Sequence, residues 1–158
     1  MSEMNYWLMK SEPSVFGIDD LAARPNKTEP WDGVRNYQAR NMMRDTMRRG
    51  DLAFFYHSNC EPPGIVGIME VVREGYPDPT QFDPESKYHD PKSDPDAPRW
   101  HLVDVRLKKR FKAMVTLAEL REHAGELGDF ALLRKGNRLS VMPVEKATWQ
   151  RILELAGS

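Results

Sequence analysis

From Trp100 to Ala113 the chain alternates, with Val103, Val105, Leu107 and Phe111 on one side of an extended backbone and Arg106, Lys108, Arg110 and Lys112 on the other. Successive strand residues point to opposite faces. The pattern therefore predicts a long strand with one face in a core and one in water, and that strand needs a sheet to join. Three other runs supply partners: Asn5 to Lys10, stopped by Pro13; Leu52 to His57, entered through the turn Arg49-Gly50-Asp51; and Ile65 to Val72. A last strand is expected over Asn137 to Val144.

Helices fall between these strands without strict alternation. Ser14 to Ala23 predicts a short helix with Asp19 and Asp20 near its positive end. Ala39, Met42, Met43 and Met47 recur at helical spacing after Asn36, which sets Arg40, Arg44 and Arg48 on another face. Thr116 and Glu119 form a capping box, and Trp149, Ile152, Leu153 and Ala156 mark a closing amphipathic helix ended by Gly157. Four or five strands with helices inserted among them suggest an α+β fold built as a small mixed β-barrel flanked by short helices. With 158 residues, no repeat and no linker, residues 1–158 read as a single domain.

Composition narrows the chemistry. No apolar run approaches the ~20 residues of a membrane-spanning helix. Residues 1–4 lack the basic and apolar regions of a signal peptide, and Cys60 is the sole cysteine, so a cytoplasmic location is the default expectation. The net charge is −1, from 23 basic and 24 acidic residues, so any nucleic acid would be held by a local patch and not by the global field. Such patches are present. Arg99 to Lys112 carries six basic residues against Asp104, whereas Arg73 to Pro98 carries seven acids. Six prolines punctuate Tyr76 to Pro98, a loop long enough to cover something.

The motifs of common catalysis are missing: no G-x-S-x-G elbow, P-loop or dinucleotide fingerprint occurs. The 4 histidines stand apart with no metal-ligand spacing, so neither metal nor cofactor is expected. His57 and Cys60 can be imagined as a base and nucleophile, or read as a structural histidine beside an ordinary thiol. The residues that stand out are aromatic and polar groups at strand ends and loops: Lys10-Ser11, Trp31, Arg35-Asn36-Tyr37, Tyr56-His57-Ser58, and Ser140 in the last strand. Aromatic faces beside hydroxyl, amide and ammonium groups are what a flipped nucleobase requires. Trp31 lies between Pro30 and Asp32-Gly33 in a polar loop, where an indole has less packing to gain than Trp7 or Trp149.

Four runs resemble the signature segments of the EVE domain family: Tyr6 to Pro13, Trp31 to Asn41, Gly50 to Ser58 and Arg138 to Val144. This family includes thymocyte nuclear proteins and single-domain bacterial members, and is distantly related to the YTH readers. The resemblance implies a PUA-like fold and non-catalytic recognition of a modified base, a modified cytosine in DNA or a modified base in RNA. It places Lys10, Ser11, Trp31 and Asn36 in a base pocket, with Tyr56, His57 and Ser58 adjoining. Arg35 and Ser140 complete the candidate pocket. Arg40, Arg44, Arg48, Arg106, Lys108, Arg110 and Lys112 are the candidate phosphate contacts of a monomeric protein whose partner is nucleic acid and not a membrane. Two other readings stay open: an enzyme acting on a nucleotide or modified base through His57, and a protein-interaction module using the acidic proline-rich loop.

Overall fold

The computed structural model describes residues 4–157, so residues 1–3 of the N-terminal leader reading lie outside the described residues. One six-stranded mixed sheet organises the chain. Its strands are β1 (Tyr6–Ser11), β2 (Thr28–Pro30), β3 (Leu52–His57), β4 (Gly64–Pro77), β5 (His101–Thr116) and β6 (Val141–Val144), in the order β2-β5-β4-β3-β1-β6. β1 and β3 run parallel, and every other neighbouring pair is antiparallel.

Cores lie on both faces, which explains the unbroken apolar runs Trp7-Leu8-Met9 of β1 and Ala53-Phe54-Phe55 of β3. Trp7, Met9, Ala53 and Phe55 point into one core, and Leu8, Phe54 and Tyr56 into the other. The first core is covered by α1 (Pro13–Phe16), α2 (Ile18–Ala23) and α3 (Tyr37–Asn41), which supply Phe16, Ile18, Leu21 and Ala39. The second is covered by α4 (Leu117–Glu122), α5 (Ala124–Leu127) and α6 (Lys146–Leu155), with Trp149 stacked on Phe54 at 3.8 Å between ring centroids. The Thr116 hydroxyl accepts from the Glu119 amide as the capping box requires, and Gly157 ends α6 at a φ of 76°.

The PUA-like mixed sheet with short helices is as expected, but the barrel stays open, because no ladder joins β2 to β6. Both edges are short and each carries a proline, Pro30 or Pro143, which has no N–H to extend a ladder.

Several local expectations are corrected. The helix expected over residues 14–23 is two helices broken at Gly17. Of the strand expected over residues 137–144, the ladder takes up Val141 to Val144. The alternation of β5 does not run through: register shifts against β4 leave Val103, Val105 and Leu107 on the first core and put Phe111 on the second. The basic row splits with it. Arg106 and Lys108 share Glu70, while Arg110 pairs with Asp19 of α2.

The arginine row after Asn36 breaks as well. α3 passes at Met42 into a π turn (Met42–Thr46), and the backbone is extended by Met47, so Arg48 is no longer on a helix. Arg44 chelates Asp45 with two bonds of 2.8 Å, and Arg40 donates to the Arg99 carbonyl at 2.7 Å.

Candidate functional site

The curled sheet brings its two edges toward each other, and the gap between them is a cavity of about 690 Å³. Glu29 and Pro30 of β2 line one side. Lys10 and Ser11 at the end of β1, with Arg138 and Ser140 leading into β6, line the other. Phe16, Trp31 and Tyr88 provide aromatic wall, and Asp32, Ser58 and Lys87 provide polar groups.

Trp31 belongs to wall and core together. It is 6% exposed and packs edge-on against Phe55 at 5.3 Å and Phe16 at 6.3 Å. That corrects the expectation that an indole in this loop has less packing to gain than Trp7 or Trp149, which are 3% exposed. Ser11 donates its hydroxyl proton to the Phe16 carbonyl at 2.6 Å, leaving oxygen lone pairs as acceptors. Burial lowers the pKa of Lys10, whose ammonium lies 5.9 Å from the Tyr56 ring centroid. Burial, followed by the charges of Asp78 and Glu29, raises the pKa of Asp32. Both shifts move the groups toward their neutral forms, as a partly desolvated cavity should.

The proline-rich loop closes the remaining side. Tyr88 lies so close over Gly33 that a Cβ there would meet its ring at 2.5 Å, and Gly33 has a φ of 80°. Arg35 fixes this arrangement with all five N–H groups: Nε and Nη2 donate to the Tyr88 carbonyl, Nη1 to Val34 and Asp78, and Nη2 to Thr80. Asp78 is wholly buried. Burial alone would raise its pKa, but bonds from Thr80, the Gly33 amide and Arg35 outweigh it and hold the carboxyl below its ordinary value. Gln81, also buried, accepts from Ser93 and the Trp100 amide and donates to the Asp78 and Trp100 carbonyls. The loop is therefore a fixed wall.

Of the pocket residues expected from sequence, Lys10, Ser11, Trp31, Arg35, Ser58 and Ser140 line the cavity, and Asn36, Tyr56 and His57 do not. Asn36 spends its side-chain oxygen capping α3, accepting from Ala39 at 3.0 Å. Tyr56 is buried in the second core, and burial pushes its phenol up to about 12. His57 accepts the Ile18 amide at 3.1 Å through Nε2, so that nitrogen carries no proton; burial lowers its pKa against the pull of Asp19. Burial also raises the thiol of Cys60, the opposite of what a nucleophile needs. Sequence reasoning missed Phe16, Asp32, Lys87, Tyr88 and Arg138. The density of prolines around Lys87 and Tyr88 was the one signal, since it marked that loop as a cover.

A model of the EVE domain matches residues 5–155. The chain belongs to the EVE domain family. Among its relatives, thymocyte nuclear protein 1 of Danio rerio is 48% identical over 94% of this chain and 71% of its own length. The human THYN1 protein, solved in complex with 5-methylcytosine containing DNA, superposes with a TM-score of 0.91 at 43% identity, covering 98% of both chains. A protein from Leishmania major superposes with a TM-score of 0.92 at 47% identity, covering 98% of this chain and 96% of the other.

Proposed function

We propose that this EVE domain is a non-catalytic reader of a modified cytosine in DNA, which it takes as an extruded base into the cavity between the sheet edges. The observation that carries the reading is the cavity itself: aromatic walls from Phe16, Trp31 and Tyr88 beside a polar edge from Lys10, Ser11 and Asp32. The human THYN1 complex with DNA containing 5-methylcytosine supports the choice of ligand. Cytosine presents an amino donor beside ring and carbonyl acceptors. Ser11 and Asp32 are suited to accept from the first, and Lys10 to donate to the second.

Magnitudes limit what such a site can do. Extrusion costs a few kcal/mol, and stacking returns about 1–3 kcal/mol per base. A buried methyl adds about 0.8 kcal/mol, or roughly fourfold in affinity. Preference for 5-methylcytosine over cytosine should therefore be near fourfold if the methyl is read by burial alone. It should be larger for a polar mark that meets a side chain.

The reading of His57 as a catalytic base loses support from its engaged Nε2 and its position outside the cavity. The test is a titration of matched oligonucleotides, DNA and RNA, with and without the modification. Binding that favours modified DNA supports the proposal. Equal affinity for modified and unmodified strands overturns it, preference for modified RNA moves the ligand to RNA, and turnover of the modified nucleoside would make the domain an enzyme.

A further inference from the structure

Most cations that the sequence offered for phosphate are occupied within the protein. Arg44 is held by Asp45, Arg106 and Lys108 by Glu70, and Arg110 by Asp19. A different set faces the site. Among the described residues, no carboxylate lies within ion-pair reach of Lys135 or Arg138. Both are exposed, and both line a second hollow of about 360 Å³. Arg138 also lines the base cavity, so the two hollows share one wall.

The segment that carries these cations is pinned. The Asn137 side chain donates to the Ala131 carbonyl at 2.7 Å and accepts the Leu139 amide at 3.0 Å. Arg134 is chelated by Asp129 at 3.0 Å through both carboxylate oxygens. Lys135 and Arg138 thus project from a fixed turn, with the polar side chains of Asn36 and Gln38 on the same hollow. A base held in the cavity must have its own phosphates just outside, and the neighbouring hollow offers unpaired positive charge there.

We propose that the second hollow, lined by Lys135 and Arg138, holds the backbone phosphates beside the extruded base. Arg138 stands at the boundary between base and backbone. This assignment rests on the base-reader function proposed above. Phosphate contacts orient a strand without reading its sequence, so Lys135, which lines the second hollow and not the cavity, sets affinity and leaves discrimination between modified and unmodified bases to the cavity.

The experiment compares the wild type with Lys135→Gln/Arg138→Gln, titrating single-stranded DNA that carries one central 5-methylcytosine, and its unmodified twin, across a range of salt concentrations. Each phosphate contact contributes about 0.7 to the slope of log K against log salt on a single strand. Loss of two contacts should flatten the slope by about 1.4, and Lys135→Gln alone should flatten it by about 0.7 while the modified-to-unmodified affinity ratio holds. Lys146→Gln on α6 is the control and should leave the slope alone. An unchanged slope in the double variant overturns the assignment, as does equal flattening by Lys146→Gln. So does flattening by Arg106→Gln/Lys108→Gln when Lys135→Gln/Arg138→Gln has none. Should the wild type bind both strands equally, the base-reader function falls, while the slope comparison still decides the phosphate site. No binding to either strand removes both.

Discussion

Replacing Arg35 with alanine should destabilise the domain and loosen the cavity wall without removing a group that touches the ligand. The side chain is 22% exposed, and its five donors are spent on Val34, Asp78, Thr80 and Tyr88. Its loss strips the ionic partner from Asp78, a carboxylate with no exposed side-chain surface. Removing one partner of a buried pair costs about 3–5 kcal/mol. Gly33 and Thr80 still donate to Asp78, which favours the lower end, near 3 kcal/mol. For a chain of this size, each kcal/mol shifts the melting midpoint by about 2–4 °C, so a drop of roughly 6–12 °C is expected. Thermal melts of Arg35→Ala, Asp78→Asn and the double variant measure it. The double should be more stable than the sum of the singles by about 0.5–3 kcal/mol, because the two residues are in direct contact. A drop below about 2 °C in Arg35→Ala, accompanied by lost ligand affinity, would refute the reasoning and make Arg35 a ligand contact.

Gly33→Ala should push the Tyr88 ring out of place, since the new Cβ would stand 2.5 Å from Cζ at a φ of 80°. A melt and a DNA titration should show lower stability together with a loss of up to the ~1–3 kcal/mol that one stacked base returns. Asp78 has a depressed folded pKa, so its stabilisation is full above the unfolded value of 3.8 and is lost as pH falls through the lower folded value. Denaturant melts between pH 2 and 5 should therefore show a steeper acid decline in the wild type than in Asp78→Asn. His57 is a base whose folded pKa is lowered from 6.5, so the unfolded chain takes up its proton first and stability falls as pH drops below that value. Denaturant melts of His57→Gln carried down from about pH 7 should show a shallower decline than the wild type below 6.5.

β1 and β3 were legible because burial on both faces leaves an unbroken apolar signature, Trp7-Leu8-Met9 and Ala53-Phe54-Phe55, and β5 because its apolar and basic residues alternate. β2 was not: Thr28-Glu29-Pro30 has no apolar period, and its pairing with β5 is set by tertiary contacts. The bulges of β5 were invisible too, because an alternating sequence looks the same whether or not its partner strand keeps register. The site followed a similar division. Lys10, Ser11 and Trp31 lie in recognisable segments, and the fold sets them around one cavity. Trp31 reads as a loop residue in sequence, yet curling of the sheet brings Phe55 beneath it. Lys87 and Tyr88 reach the cavity from the proline-rich loop, whose composition marks a cover without marking which side chains face inward, and Arg138, though it opens the last recognised run, carries no local sign that it does. Asn36 sits in a matching motif, but its side-chain oxygen is committed to the α3 cap.

The central claim is that the modified base itself enters the cavity between the sheet edges. It is tested most directly by nuclear Overhauser contacts from a ¹³C-labelled methyl on 5-methylcytosine in a short DNA strand bound to the protein. The expected result is contact between that methyl and aromatic ring protons of Phe16, Trp31 or Tyr88, the three rings that line the cavity. Saturated binding of the labelled strand with methyl contacts to none of these rings would contradict it.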